Sequence, residues 1–151
     1  MPDESLMLLA SEVRGKTLRL LDGVSESEAR FTPVGLNNTI LWHAGHALVV
    51  VEHLSVAPAT GGPPSYPHGW FETFSWKSVP ATVARWPTLD EVVERLRDQL
   101  MYRSVRLFGS MPASRSDGSS ILHGLHDEAG HQGEIYLLRK MVRVGLPKPR
   151  P

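Results

Sequence analysis

The sequence predicts an all-α fold, a four-helix bundle, on three observations. Four long stretches are free of proline, apolar residues within them recur at helical spacing, and helix-capping residues stand where the stretches become periodic. Proline lacks the amide hydrogen and clashes with the preceding turn, so helices belong between prolines. The free stretches cover residues 3–32, 34–57, 88–111 and 113–146, while 58–87 holds six of the twelve prolines and reads as one long loop.

In the first stretch Leu6, Leu9, Ala10, Val13, Thr17, Leu20, Leu21 and Val24 stack along one helical face. That helix should close near Asp22-Gly23, because glycine accepts the left-handed conformation of a helix stop. A short turn is expected from Ser25, whose spacing to Glu28 fits a capping box. The second helix is expected after Asn37-Asn38-Thr39 and continues as ILWHAGHALVVVEHL, apolar over so wide an arc that it must be largely buried. Thr88 to Glu91 is a second capping-box spacing. Behind it Leu89, Val92, Val93, Leu96, Leu100 and Val105 share a side, with Glu94, Arg97 and Asp98 opposite. The fourth helix starts among Ser116, Asp117, Ser119 and Ser120 and stops at Gly145. The 58–87 loop carries Tyr66, Trp70, Phe71, Phe74, Trp76 and Trp86, too much aromatic surface to leave in water, so it should be ordered and packed on the bundle.

The chain has 151 residues, with 16 Lys plus Arg against 16 Asp plus Glu and an isoelectric point near 7.1. That is enough chain for one domain with a real core, read here as residues 1–146, followed by a disordered tail at 147–151. Balanced charge gives no reason to expect binding to nucleic acid or to an anionic membrane surface. With no cysteine, the chain cannot supply a disulfide framework, a thiolate nucleophile, a zinc finger or an iron-sulfur cluster. Any metal must sit on nitrogen and oxygen ligands. The N-terminal segment mixes acids and bases with leucine and shows no secretion signal. Uninterrupted apolar runs reach only five residues, as at Ala47 to Val51, against the roughly 20 of a membrane span. The expected location is the cytoplasm.

The seven histidines are clustered: His43, His46 and His53 on the second helix, His123, His126 and His131 on the fourth, and His68 in the loop. At about 100° per residue, His43 and His46 lie about 60° apart and Asp127 and His131 about 40° apart, so either pair can face one centre. His126 and His131, about 140° apart, cannot both do so from a regular helix. His123, Asp127 and His131 form a row with Glu134 and Leu138 on the same side. Imidazole and carboxylate converging from facing helices suit zinc, nickel, iron or manganese. Any one histidine on a half-buried helix is more often a packed, hydrogen-bonded residue than a ligand. By the same logic Asp127 and Glu128 could pair with Arg139, and Trp42 could be core. Gly124, Gly130 and Gly133 are unusual in one helix, costing about 1 kcal/mol each relative to alanine, and point to close helix approach or to room beside a ligand.

The segment TILWHAGHALVVVEH resembles the second-helix motif of the DinB-like, or YfiT-like, superfamily, and DEAGHQGEIYLLRKM resembles its last-helix motif. The segment VSESEARFTPVG also resembles the family's approach to the second helix. The resemblance implies an up-down-down-up bundle, often a homodimer, with a divalent metal held by one histidine of helix two and a histidine pair on the last helix. Aligned on these motifs, His46 and His131 fall on ligand positions, and Asp127 stands where the family pattern has histidine. Aspartate can ligate the same metals; the alternatives are His126 or His123 in its place, or a lapsed site.

The family includes metal-dependent enzymes that use low-molecular-weight thiols. The implied function is therefore a metal-dependent hydrolase or thiol transferase acting on a small electrophilic substrate, with a thiol cosubstrate in place of the missing cysteine. His43, Glu128 and Glu134 are then the candidates for orienting group or general base. The rival expectation is a metal-free dimeric bundle that binds a small ligand or acts in stress without catalysis.

Overall fold

The computed structural model describes residues 4–99 and 118–145, and among them every regular element is helical. The elements are α1 (Glu4–Leu21), α2 (Glu26–Ala29), α3 (Ile40–Val51), a π turn (Glu52–Val56), α4 (Ala57–Thr60), α5 (Trp70–Phe74), a short 3-10 turn (Pro80–Thr82), α6 (Leu89–Asp98) and α7 (Gly118–Val144). α7 packs against both α1 and α3, and α6 packs against the same two helices. Leu100, Val105, Ser116, Asp117 and the tail 147–151 lie outside the described residues.

Local sequence chemistry sets the helix ends. Gly23 (φ 71°) and Gly145 (φ 78°) follow α1 and α7 in the left-handed region. Both capping boxes form: Ser25 Oγ accepts from the Glu28 amide at 3.2 Å while Glu28 Oε2 accepts from the Ser25 amide at 2.7 Å, and Thr88 and Glu91 repeat the pattern. Thr39 caps α3 by accepting from the Trp42 amide at 3.1 Å. Glu26 of α2 reaches across to accept from the Leu89 amide at 2.9 Å, which satisfies an orphan donor at the start of α6.

The second helical run does not stop at residue 57. It continues through Pro58 to Thr60 and closes on Gly61 (φ 71°). Pro58 has no amide hydrogen for the carbonyl of Leu54, and a regular turn would drive its ring against that carbonyl. The chain widens into the π turn just there, and Ser120 Oγ of α7 donates to the freed Leu54 oxygen at 2.6 Å. Next to it, Ser55 Oγ donates to Ile121 O at 3.0 Å. Gly124 permits this approach, since a Cβ there would run into Ser55 Oγ. Gly130 and Gly133 face open space, so close packing within the chain explains only the first of the three glycines.

All twelve residues of α3 are buried. The run Ile40–Thr60 is apolar and long enough to cross a membrane, with mean hydropathy 1.3, but 89% of that window is buried inside the protein. Its apolar surface therefore faces other helices, as in a core helix. Of the predicted α1 face, Leu6, Ala10, Val13, Thr17 and Leu21 are buried, whereas Leu9 is exposed and Arg14 takes a core position. Between residues 58 and 87, Phe74 is fully buried and Tyr66, Trp70, Phe71 and Trp86 pack on the core, while Trp76 is half exposed.

Candidate metal centre

α3 and α7 lie side by side, and their contact brings His46, Asp127 and His131 together with ligand atoms all within 4.8 Å of one another. Among the described residues this is the one group of metal-capable side chains so gathered. His46 Nε2 and His131 Nε2 each stand 3.5 Å from Asp127 Oδ2. The i, i+4 spacing on a regular α7 places Asp127 and His131 one turn apart, and His46 enters from the facing helix. His46 is buried, while Asp127 and His131 retain 31% and 21% of their side-chain exposure, so solvent reaches the centre from the α7 side.

Hydrogen bonding aims the two histidines. His46 Nδ1 donates to the carbonyl oxygen of Phe74 at 2.6 Å. A carbonyl can only accept, so Nδ1 carries the proton and the neutral ring presents the lone pair of Nε2 to Asp127. The contact depends on Gly45, because a Cβ there would enter the Phe74 ring. His131 and His43 share a hydrogen bond between their Nδ1 atoms at 2.8 Å. With Nδ1 of His131 donating, its Nε2 lone pair also faces Asp127. Trp42 forms one wall: its indole stacks on His46 (centroids 4.5 Å, interplanar angle 19°) and meets His43 and His131 edge-on. Its Nε1 donates to Ser78 Oγ at 2.8 Å, which fixes the ring.

The electrostatics favour the ligand forms. Burial, reinforced by His131 and His46, pushes His43 down to about 3, so it stays neutral at physiological pH. Burial also lowers His131, aided by His46 and partly offset by Asp127, Glu134 and Glu128. Burial alone would raise Asp127, but contact with His46 and the fields of His131, His46 and His123 hold the carboxyl below its usual range. Asp127 Oδ2 is buried without a hydrogen-bond partner among the described residues. Two imidazole lone pairs and an orphaned carboxylate oxygen pointing at one another are an unfavourable set until a cation sits among them, so these residues fit a divalent metal.

The other sequence candidates fall elsewhere. His123 and His126 are exposed and outside the group, and α7 stays regular between His126 and His131. His43 joins the site through His131 rather than through the Asp127 carboxylate. Glu134 is exposed, one turn beyond His131. Glu128 is 1% exposed and enclosed by α1: Arg14 donates to both carboxylate oxygens (2.8 and 2.9 Å) and Thr17 Oγ1 donates at 2.6 Å. Its salt bridge is thus with Arg14, and Arg139 instead donates to Leu20 O at 3.0 Å. Sequence reasoning missed the Phe74 carbonyl, for which no signal existed. It also missed the stacking role of Trp42, which the i, i+4 spacing to His46 does encode.

Helical throughout its described elements, with facing helices that bring two histidines and an aspartate to one point, the chain is a helical protein with a candidate metal centre. The DinB superfamily profile matches residues 9–135, and the chain belongs to that superfamily. A comparison with curated proteins returned no match.

Proposed function

We propose that this protein is a metal-dependent enzyme, a hydrolase or low-molecular-weight-thiol transferase acting on a small electrophile, with His46, Asp127 and His131 as metal ligands. The observation that carries this reading is the orphaned Asp127 Oδ2 between two imidazole Nε2 atoms. The donor set of two nitrogens and one carboxylate suits zinc, nickel, iron or manganese. A divalent ion there would lower the pKa of a bound water or thiol and polarise an electrophilic oxygen. Phe74 O holds the His46 ring, His43 holds the His131 ring, and Trp42 excludes water from one side. The chain has no cysteine, so a transferred thiol comes from a cosubstrate.

The same reading takes α1, α3, α6 and α7 as an up-down-down-up four-helix bundle, supported by the packing of α6 and α7 against both α1 and α3. It takes the protein as a homodimer, supported by Leu122, Tyr136 and Leu137 standing half exposed on α7 beside Gly130 and Gly133, which leave room for a second helix. A light-scattering mass near 16.7 kDa would count against the dimer.

Elemental analysis of untagged protein tests the metal, as purified and after chelator dialysis with re-addition of single metals. Near-stoichiometric zinc, nickel, iron or manganese is the expected result. No metal as purified and no uptake on re-addition would overturn the reading.

A further inference from the structure

A second site lies beside the metal centre and shares Trp42 with it. A cavity of about 520 Å³ opens between the start of α3, the 30–37 segment and the 79–86 segment. That is the size of a small-molecule site. Its walls are largely apolar: Leu36, Leu41, Trp42, Val79 and Trp86 contribute, with Arg30 and Asn37 among them. Leu36 and Val79 are 42% and 55% exposed, so the cavity mouth leaves large apolar side chains uncovered.

The polar groups have capacity to spare. Arg30 pairs with Glu26 Oε1 through Nε and Nη2, both at 3.1 Å, and its Nη2 donates to Pro87 O at 3.2 Å, which holds the guanidinium at the cavity and leaves Nη1 without a partner among the described residues. The exposed Asn37 side chain also lines the cavity and likewise has no hydrogen bond among the described residues. Glu26 also accepts from the Leu89 amide, so its charge is divided between Arg30 and α6. Two indoles and three aliphatic side chains around an apolar space, with a cation and an amide at its border, suit an aromatic body carrying one anionic group.

We propose that this cavity binds a small aromatic carboxylate, the ring among Trp42, Trp86, Leu36 and Val79 and the carboxylate on Arg30 and Asn37. The indole that helps line the cavity is the one stacked on His46, which puts the bound ligand one ring away from the metal centre. The binding itself does not depend on a metal being present.

The test is calorimetric titration of the full chain with 2-naphthoate, with 2-naphthylmethanol as the uncharged control. Wild type should bind about one equivalent of naphthoate and bind the alcohol about tenfold more weakly. Ala81→Trp fills the cavity from an exposed lining position and should abolish both. Arg30→Gln should weaken naphthoate about tenfold without changing the alcohol, and Glu26→Gln, which removes the competing carboxylate while Pro87 O still holds Nη2, should tighten naphthoate. Metal uptake by the Ala81→Trp protein should equal that of wild type, which separates this site from the metal centre. Absence of naphthoate binding at millimolar concentration, or equal binding by wild type, Ala81→Trp and Arg30→Gln, would overturn the proposal. Arg30→Gln alters an exposed side chain, so it keeps the test decisive even if Ala81→Trp disturbs folding.

Discussion

His46 is oriented by Phe74: the imidazole Nδ1 donates to the Phe74 carbonyl at 2.6 Å, and Gly45 makes the room that lets α5 come so near α3. One glycine between two histidines therefore acts on the candidate metal centre through the aromatic segment. Backbone at residue 74 decides which nitrogen of His46 is left to bind.

Gly45→Ala tests this link. The added Cβ would occupy the position of the Phe74 ring, so α5 must retreat and its carbonyl must leave His46. We expect a stability loss of about 1–3 kcal/mol in urea unfolding. Metal affinity should fall about 10-fold to 100-fold, the usual effect of losing a partner that orients a ligand. Lower stability with unchanged metal affinity would show that Phe74 packs against His46 without positioning it.

The depressed His43 predicts a pH dependence with a definite sign. Its folded value, about 3, lies below the ordinary histidine value of 6.5, so at intermediate pH the unfolded chain binds more protons. Stability of the metal-free protein should be full above pH 6.5 and decline as pH falls toward about 3, by an amount on the order of a few kcal/mol. Urea midpoints measured from pH 8 to pH 4 read this directly. His43→Gln, which cannot titrate, should flatten the slope, and an unchanged slope would assign the effect to other groups.

Arg14 and Glu128 form a bidentate pair in the core, 3% and 1% exposed, bracketed by Thr17 and by Gln99, whose Oε1 accepts from Arg14 at 2.7 Å. Arg14→Leu leaves the Glu128 carboxylate buried and unpaired, and should cost about 3–5 kcal/mol. Combining it with Glu128→Leu should recover a large part of that loss, since the desolvated charge disappears with its partner. Chemical unfolding of the two single variants and the double variant closes the cycle. A double variant no more stable than Arg14→Leu would show that the cost comes from packing.

Much of the fold was legible because its signals are local. Gly23, Gly145, Thr39 and both capping boxes stand where the sequence places them, since each acts within one turn of its own residue. The passage through Pro58 was not legible, because it needs Ser120 from α7 to satisfy the Leu54 carbonyl. The burial of Arg14 does carry a spacing signal: it lies four residues after Ala10 and three before Thr17, on the buried face, although its charge argues for solvent. At the candidate metal centre, helical spacing gathers Asp127 with His131, but what brings His46 to them is the packing of α3 on α7. The Phe74 carbonyl leaves no mark in any residue type.

The ligand assignment itself makes the last prediction. His46→Ala combined with His131→Ala removes both nitrogen donors, so metal uptake should vanish while helical circular dichroism stays near wild type; retained stoichiometric metal would overturn the assignment. Asp127→Asn should separate binding from folding. It removes the orphaned carboxylate oxygen and offers an amide N–H toward the imidazole nitrogens 3.5 Å away. At pH 8, above the ordinary histidine range, the metal-free variant should be more stable than metal-free wild type by about 1–2 kcal/mol and should bind metal more weakly. A residue that costs stability in the empty protein is retained for what it binds, so this trade-off would mark Asp127 as a ligand. Asparagine that lowers stability and leaves metal uptake unchanged would instead make Asp127 a structural partner of His46.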